Sequence, residues 1–321
     1  MEITTFEEEQ ISDIVSFWNE TFSDRRNFIQ MTPALLEERI LQVDTAQESF
    51  DPESLLLAQE GAEVLGMMHV GTYPEPICQL MYGEEWDGGV MGYVGMLAVH
   101  PDYRGDGIGS DLWEAGIERV SHATMIDLDG QCLNPFYGNS LGPFQPLWGT
   151  TEGVSIGTDQ DRAFAFFERR GFEPTYEGVS LEVETAKVSA DASTDGGSRR
   201  INGLLEEYPA LGESPDERLP YPNAENYICV QLVLDNLTAG ILSMYPFTEL
   251  DEEKWGIYEF RVAEEYHGEG HRRALLHRGI QEVRERGGDV LETLLLRELS
   301  EDELPMHREL GFDEVATWHI Y

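Results

Sequence analysis

A glycine-rich turn, "VHPDYRGDGIGSDL" at residues 99–112, is the stretch of this sequence with the clearest capacity for chemistry. Gly105, Gly107 and Gly109 follow an apolar run and precede a helix-like pattern. Glycine leaves the backbone uncovered, and the start of a helix adds unpaired N–H donors with a partial positive charge. The turn therefore predicts a cradle for a phosphate or diphosphate group, with Arg104 as a mobile cation at its rim.

The residue types exclude two common phosphate loops. A Walker loop needs Gly-Lys-Ser/Thr, and the turn contains no lysine. A dinucleotide fingerprint needs GxGxxG directly after its strand, whereas "HPDYR" intervenes here and the spacing is GxGxG. The remaining pattern, Arg-x-x-Gly-x-Gly, is met by Arg104, Gly107 and Gly109.

With "LAVHPDYRGDGIGSDL" and the later "QDRAFAFFERRGF", the sequence resembles motif A and the last-helix motif of the GNAT superfamily of acyl-CoA N-acyltransferases. The resemblance implies that acetyl-CoA is the co-substrate and that an amine attacks it directly. It further implies that the backbone of the strand carrying Leu97, Ala98 and Val99 pairs with the pantetheine arm. In the same way it implies that the amide near Leu97 polarises the thioester carbonyl and that the turn holds the diphosphate. The residues so implied are Leu97, Ala98, Val99, Arg104, Gly105, Asp106, Gly107, Ile108, Gly109 and Ser110.

The usual acid of the family is missing from its expected position. The resemblance places a tyrosine before "E-x-x-G-F", and this chain has Phe167 there and His307 in a second, similar stretch. A coenzyme A thiolate can also take its proton from water, so the departure leaves transfer possible.

A substitute acid or base is expected in the Gly-, Pro- and aromatic-rich insertion around residues 129–156. Tyr137 and Glu152 are the candidates, although a half-buried packing tyrosine and a solvated surface acid are the plainer interpretations. His100 and Tyr93 are further possibilities, and His100 can simply mark the exit from the strand. Three aromatic residues could wall an acceptor pocket or pack under the loop, namely Phe136, Phe144 and Trp148.

The sequence indicates a duplicated domain, because four features recur in the same order. A hairpin pattern around Glu-Gly corresponds to one around Asp-Asn, and the strand pattern "GYVGMLAV" corresponds to "WGIYEFRV". The turn "HPDYRGDGIGSDL" corresponds to "AEEYHGEGHRRAL", and "FFERRGFEP" corresponds to "MHRELGFDE". We therefore expect a mixed α/β fold of two tandem GNAT-type domains at residues 1–185 and 201–321. Residues 186–200, "AKVSADASTDGGSRR", are expected to be a linker, although a surface loop within one domain is the alternative.

The second copy is expected to be degenerate. His267, His271 and Arg272 stand where the first copy has Arg104, Ile108 and Gly109, and a side chain at 272 would crowd the cradle. A metal site built on His267 and His271 is disfavoured, because the glycines between them favour a turn and no third ligand is evident.

Charge is the strongest compositional signal. The 321 residues include 21 basic and 62 acidic ones, for a net charge of -41 at pH 7. Such a charge disfavours nucleic acid and anionic membranes as partners. An ordinary acidic cytosolic protein is one interpretation; we favour adaptation to molar salt, where the Debye length falls to ~3 Å. The acidic N-terminus is unlike a signal peptide, no apolar run has membrane-spanning length, and the three cysteines are scattered, so a cytoplasmic protein is expected.

The sequence thus predicts an N-acetyltransferase that moves an acetyl group from acetyl-CoA to a primary amine of a small molecule or peptide. The alternative is a non-catalytic, coenzyme A-binding or regulatory protein of the same fold. The acceptor and the oligomeric state lie beyond what the sequence indicates.

Overall fold

The structure is a computed structural model that describes residues 1–41, 51–73, 88–128, 156–189, 198–202, 205–209, 218–224, 228–247, 253–267 and 270–321, with 75, 78, 79, 83 and 86. The chain divides into two compact units. One comprises Met1–Gly149 with Tyr321, and the other comprises Thr150–Ile320.

The first unit is built on a five-stranded sheet with the order β1-β2-β3-β4-β5. All neighbouring strands are antiparallel except β4 and β5, which are parallel. The strands are β1 Glu2–Thr5, β2 Leu55–Glu60, β3 Glu63–Thr72, β4 Met91–Val99 and β5 Met125–Asp127. The helices are α1 Ile11–Phe22, the short α2 Pro33–Leu36 and α3 Ile108–Arg119.

The two faces of this sheet are covered by different helices. Trp18 of α1 and Leu36 of α2 belong to one buried cluster with Met67 of β3. On the opposite face, Gly66 lies against side chains of α3, so close that a Cβ there would meet Leu112 at 2.9 Å. Because successive strand residues point to opposite faces, the neighbours Gly66 and Met67 alone place α3 and α1 on opposite sides of β3.

The second unit contains an eight-stranded sheet with the order β6-β15-β7-β14-β13-β12-β11-β8 and a separate two-stranded sheet, β9-β10. Its strands are β6 Ile156–Gly157, β7 Tyr176–Glu184, β8 Ser198–Asn202, β9 Leu205–Pro209, β10 Arg218–Ala224, β11 Ile228–Leu234, β12 Leu237–Pro246, β13 Lys254–Val262, β14 Val290–Leu296 and β15 Asp313–Ile320. Its helices are α4 Asp161–Glu168, α5 His271–Glu285 and α6 Glu303–Glu309. None of the helices in the described part of the chain combines the length and apolarity that a bilayer span requires.

The compact units divide at a different place from the predicted sequence domains. β7 lies before residue 185, yet it pairs with β14 on one side and β15 on the other, both from the second half of the chain. Residues at both ends of the predicted linker also form part of the second unit. Val188 is buried in the core of the second unit, and β8, which begins at Ser198, pairs with β11. The sequence domains at residues 1–185 and 201–321 therefore stay a prediction that concerns the duplicated sequence, because β7 of the first pairs with β14 and β15 of the second.

Strand irregularities recur at matching places in the two halves. Leu65 is an extra residue in β3 opposite β2, and Ala239 is the extra residue at the same point of β12 opposite β11. Gly95 in β4 and Tyr258 in β13 are extra residues in the same way. β-Bulges re-aim a strand at a fixed position, so their coincidence supports the expectation of a repeated mixed α/β fold, which is confirmed.

One cross-strand pair consists of a tyrosine and a glycine in both repeats, but the two residues lie on opposite strands in the two cases. In the first, Tyr93 of β4 stands opposite Gly71 of β3; in the second, Tyr245 of β12 stands opposite Gly256 of β13. A Cβ on Gly71 would lie 2.7 Å from the Tyr93 hydroxyl, and one on Gly256 would lie 2.6 Å from the Phe247 ring and 3.1 Å from the Tyr245 ring. Each aromatic side chain therefore covers the glycine of the partner strand.

The second hairpin confirms a local prediction, and the start of α2 follows from its residue types. The Asp235-Asn236 turn of the second hairpin has positive φ at both residues, as a two-residue hairpin turn requires. Thr32 caps α2 by accepting a hydrogen bond from the Leu35 N–H at 3.1 Å, with Pro33 at the first helical position. β1 is a finding that the sequence pattern did not indicate, because four residues are too few to show a period.

Candidate active site

The glycine-rich turn places bare backbone at the start of α3. Gly105 and Gly107 have φ of 105° and 92°, a region that L side chains rarely adopt. A Cβ on either residue would meet no atom within 4 Å, so both glycines border open space. Within the described part of the chain, no hydrogen bond uses the backbone N–H groups of residues 105–109. The turn thus offers a row of donors at the positive end of a helix, which suits a diphosphate.

The residues flanking the turn hold it in place. Nε of Arg104 donates to the carbonyl of Val99 at 2.9 Å, so the guanidinium is anchored to the end of β4 rather than freely mobile. The side chain of Ile108 is buried, as is that of Ala98, so these two could meet a ligand through their backbone alone. Leu97, Val99, Gly109 and Ser110 are half-buried and Asp106 is exposed.

β4 and β5 pair over a short stretch that ends before the turn. The paired residues among those described are Met91 with Met125, Gly92 with Ile126, and Tyr93 with Asp127. β4 then continues through the bulge at Gly95 to Val99, whereas β5 ends at Asp127. The described pairing of the two parallel strands thus ends at the Tyr93–Asp127 pair, with the glycine-rich turn at the far end of β4.

A polar cluster lies at the end of this pairing between β4 and β5. The hydroxyl of Tyr73 donates to Oδ2 of Asp127 at 3.4 Å, and the rings of Tyr73 and Tyr93 are 4.9 Å apart. His69 of β3 lies edge-on to Tyr93, and burial lowers the pKa of its imidazole to about 3, which keeps it neutral. Sequence reasoning considered Tyr93 and missed Asp127; the available signal was a carboxylate at the end of the strand "MID".

His100, the remaining acid–base candidate in the described part of the first unit, is engaged outside this cluster. Nδ1 of His100 accepts a hydrogen bond from the Asp102 N–H at 3.3 Å, and its Nε2 faces Glu20 at 3.2 Å, so both ring nitrogens are engaged. Phe167 lies in the second compact unit, where its ring contacts Phe166 and Phe172. Outside the described residues lie Tyr137 and Glu152, together with Phe136, Phe144 and Trp148.

The second repeat preserves the frame of the turn. Gly270 is the left-handed residue before α5, with φ of 79°, as Gly107 is before α3. Nε2 of His267 lies 2.8 Å from the Val262 carbonyl, the position that corresponds to Val99. The described ends of the two turns therefore correspond, although the side chains around them differ.

The side chains that follow Gly270 make contacts within the second unit. The Arg272 guanidinium forms an ion pair with Glu303 of α6, and Arg273 pairs with Glu309 at 3.1 Å. His307 is fully buried, and its Nδ1 lies 2.9 Å from the Glu303 carbonyl. Burial, helped by the nearby Arg272 charge, lowers the pKa of His307 to about 4. The cations that could attract a phosphate are thus already paired with carboxylates.

The described residues contain no group of three or more His, Cys, Asp or Glu side chains placed to hold a metal ion. This finding includes the surroundings of His267 and His271, apart from residues 268 and 269, which lie outside the described part.

A model of the acetyltransferase (GNAT) family matches residues 13–135 and, a second time, residues 200–312. Since these matches cover more than half of the chain, the protein belongs to the GNAT family and carries its domain twice. A comparison with curated protein sequences found no match.

Three solved structures share the fold along 99% of this chain at low sequence identity. A GCN5-related N-acetyltransferase from Sphaerobacter thermophilus has a TM-score of 0.58 and 14% identity, with 93% of that chain covered. A tandem GNAT protein from the clavulanic acid biosynthesis pathway, solved without acetyl-CoA, has a TM-score of 0.58 and 16% identity, with 96% covered. A glucosamine N-acetyltransferase region of a fungal multi-domain β-N-acetylglucosaminidase has a TM-score of 0.62 and 12% identity, and this chain spans 37% of that protein.

Proposed function

We propose that the protein is an acetyl-CoA-dependent N-acetyltransferase whose first repeat carries the active site. The observation that carries this proposal is the row of unbonded backbone N–H groups at residues 105–109, bordered by two left-handed glycines that face open space. A diphosphate fits that arrangement because it needs several converging donors and a close approach to the backbone. Membership of the GNAT family supports acyl transfer as the reaction.

In this proposal each element of the first unit has a separate task. The amides of residues 105–109 hold the diphosphate, with Arg104 anchored beside them. Leu97, Ala98 and Val99 offer backbone groups to the pantetheine arm along the part of β4 that lies beyond its pairing with β5. A backbone N–H near Leu97 stabilises the oxygen that gains charge during attack.

Acetyl-CoA supplies the acetyl group as an activated thioester. The nitrogen of a primary amine attacks the carbonyl carbon, so a C–N bond forms and the C–S bond breaks. The thiolate leaves with the electron pair of that bond and takes up the proton that the attacking nitrogen releases. No nucleophilic side chain is required, and the products are an N-acetylated amine and the free thiol.

The test is release of free thiol from acetyl-CoA in molar salt, with a panel of amines that includes polyamines, amino acids and peptides. We expect at least one amine to accelerate thiol release, with formation of its acetylated product by mass spectrometry. Binding of acetyl-CoA without amine-dependent thiol release would instead support the non-catalytic alternative, which Phe167 at the usual tyrosine position motivates.

A further inference from the structure

The glycine-rich turn is preceded by a single turn of 3₁₀ helix, Pro101–Tyr103, which side chains connect to other parts of the first unit. Tyr103 provides one connection, since its hydroxyl donates to Oε1 of Glu63 at 2.7 Å. The same hydrogen bond raises the pKa of the Tyr103 hydroxyl, which therefore remains a donor. Because Glu63 is the first residue of β3, the contact joins the entry of the glycine-rich turn to the β2–β3 hairpin.

His100 provides a second connection through both nitrogens of its ring. Its Nδ1 accepts a hydrogen bond from the Asp102 N–H at 3.3 Å, so this nitrogen carries a lone pair. In the neutral ring the proton is then on Nε2, which donates to Oε2 of Glu20 at 3.2 Å. Since Glu20 belongs to α1, this contact joins the end of β4 to the N-terminal helix.

The second repeat has an alanine at the position of His100. The backbone N–H of Ala263 donates to the carbonyl of Ala239 at 2.8 Å, and that of His100 donates to the carbonyl of Leu65 at 2.9 Å. Ala239 and Leu65 are the extra residues that make the matching bulges in the two repeats. Ala263 and His100 are therefore equivalent, and an alanine side chain can form neither hydrogen bond of the imidazole.

The second repeat also replaces the carboxylate that Tyr103 contacts. Tyr266 is equivalent to Tyr103, because each donates its backbone N–H to the carbonyl three positions earlier in the chain. Leu237 is equivalent to Glu63, because each begins its strand and pairs with the last residue of the preceding strand. A leucine side chain cannot accept a hydrogen bond, and Tyr266 packs against the apolar core of the second unit.

The comparison separates the two polar contacts, Tyr103–Glu63 and His100–Glu20, from the local backbone geometry. Both repeats form the 3₁₀ turn and place a left-handed glycine before a long helix. The two polar contacts are therefore not required for these features, and they occur in the repeat to which we assign the diphosphate. Exposed contacts of this kind contribute little to the stability of a fold. They can nevertheless hold donors in the geometry that a ligand needs before it binds.

We propose that His100 and Tyr103 are positioning residues for acetyl-CoA, which fix the entry of the turn so that the backbone N–H groups of residues 105–109 are aligned before the diphosphate arrives. This inference rests on the proposed function. Both side chains act through the backbone, so neither needs to touch the ligand. Because donors that are already ordered lose less conformational freedom on binding, loss of either contact should weaken acetyl-CoA binding and leave the transfer step unchanged.

The test copies residues of the second repeat into the first. His100→Ala and Glu63→Leu should each weaken acetyl-CoA binding about threefold to tenfold in calorimetric titrations. KM for acetyl-CoA should rise by the same factor, whereas kcat should not fall and KM for the fastest amine of the panel should stay the same. A merely structural role would instead lower the unfolding midpoint and leave the affinity of the folded protein unchanged.

Conservative variants identify the Tyr103 hydrogen bond as the cause. Glu63→Gln keeps an acceptor and should retain most of the affinity, whereas Tyr103→Phe should reproduce the loss in Glu63→Leu. The double variant Tyr103→Phe/Glu63→Leu should lose no more than either single variant, because each removes the same hydrogen bond. The matched control is Glu114→Gln, which alters an exposed carboxylate on α3 and should bind acetyl-CoA as the wild type does.

Unchanged acetyl-CoA affinity in His100→Ala, Tyr103→Phe and Glu63→Leu would overturn the positioning role. The proposed function would survive that result if Gly107→Ala still weakens binding. A wild-type protein that binds no acetyl-CoA would overturn both.

Discussion

Nζ of Lys254 lies 2.8 Å from Oε2 of Glu292, a carboxylate with no solvent exposure, at the junction of β13 and β14. Glu182 of β7 reaches the same ammonium at 2.6 Å and pairs directly opposite Glu292. Two like charges on adjacent strands repel each other unless a cation lies between them. Lys254 therefore joins β7, which precedes residue 185, to β13 and β14 of the second sequence repeat.

Removing this cation should destabilise the second unit strongly. Lys254→Met leaves a buried carboxylate without its partner, a change that costs about 3–5 kcal/mol in comparable cases. The measurement is the free energy of unfolding by denaturant at constant salt. Lys187→Met is the matched control, since the chain has only these two lysines and Lys187 pairs with Glu184 at an exposed site. Equal unfolding midpoints for the two variants would show that the buried pair contributes nothing.

The position of β7 predicts which fragments of the chain should fold. Val179, Leu181 and Val183 of this strand are buried in the core of the second unit, together with Leu291 and Leu295 of β14. A fragment of residues 150–321 retains β7 and should unfold cooperatively with defined near-ultraviolet circular dichroism. A fragment of residues 201–321, which follows the sequence repeat, lacks it and should not. Cooperative unfolding of the shorter fragment would contradict the role of β7 in this sheet.

The sequence predicted features that depend on neighbouring residues. The Asp235-Asn236 turn and the glycines of residues 105–109 are such features, because each backbone geometry is selected by the residue that adopts it. The duplication was also visible, since the order of motifs survives while the sequences diverge.

Features that depend on distant residues were not predictable in the same way. An apolar strand such as β7 fits many sheet edges, and nothing within residues 176–184 specifies pairing with β14 and β15. The ion pairs of Lys254 and Arg272 join residues far apart in the chain, so their partners appear only once the strands are placed. Asp127 was missed for the same reason, because its contact with Tyr73 joins residues that are 54 positions apart in the sequence.

We propose that the charge of -41 reflects adaptation to molar salt. Mutual repulsion of dispersed carboxylates opposes the compact state in dilute buffer, and it is screened when the Debye length falls to about 3 Å at 1 M salt. The thermal unfolding midpoint should therefore rise steadily from 0.05 M to molar KCl, by roughly ten degrees or more. An isosmotic sucrose series provides the control, since it changes water activity without screening charge. Full stability in dilute buffer would refute the adaptation.

The central claim is that the turn at residues 104–109 holds the diphosphate of acetyl-CoA, and that its counterpart in the second repeat does not. Gly107 and Gly270 are both left-handed residues before a long helix, and a Cβ on either would meet no atom within 4 Å. An alanine at either position thus brings the same backbone strain. The two variants therefore differ only in which repeat they alter.

The most direct measurement is calorimetric titration of acetyl-CoA into the wild-type protein, Gly107→Ala and Gly270→Ala in molar salt. We expect one site per chain in the wild type, at least tenfold weaker binding in Gly107→Ala, and unchanged binding in Gly270→Ala. Two equal sites per chain, or equal affinities in all three proteins, would show that the turn at residues 104–109 is not the acetyl-CoA site.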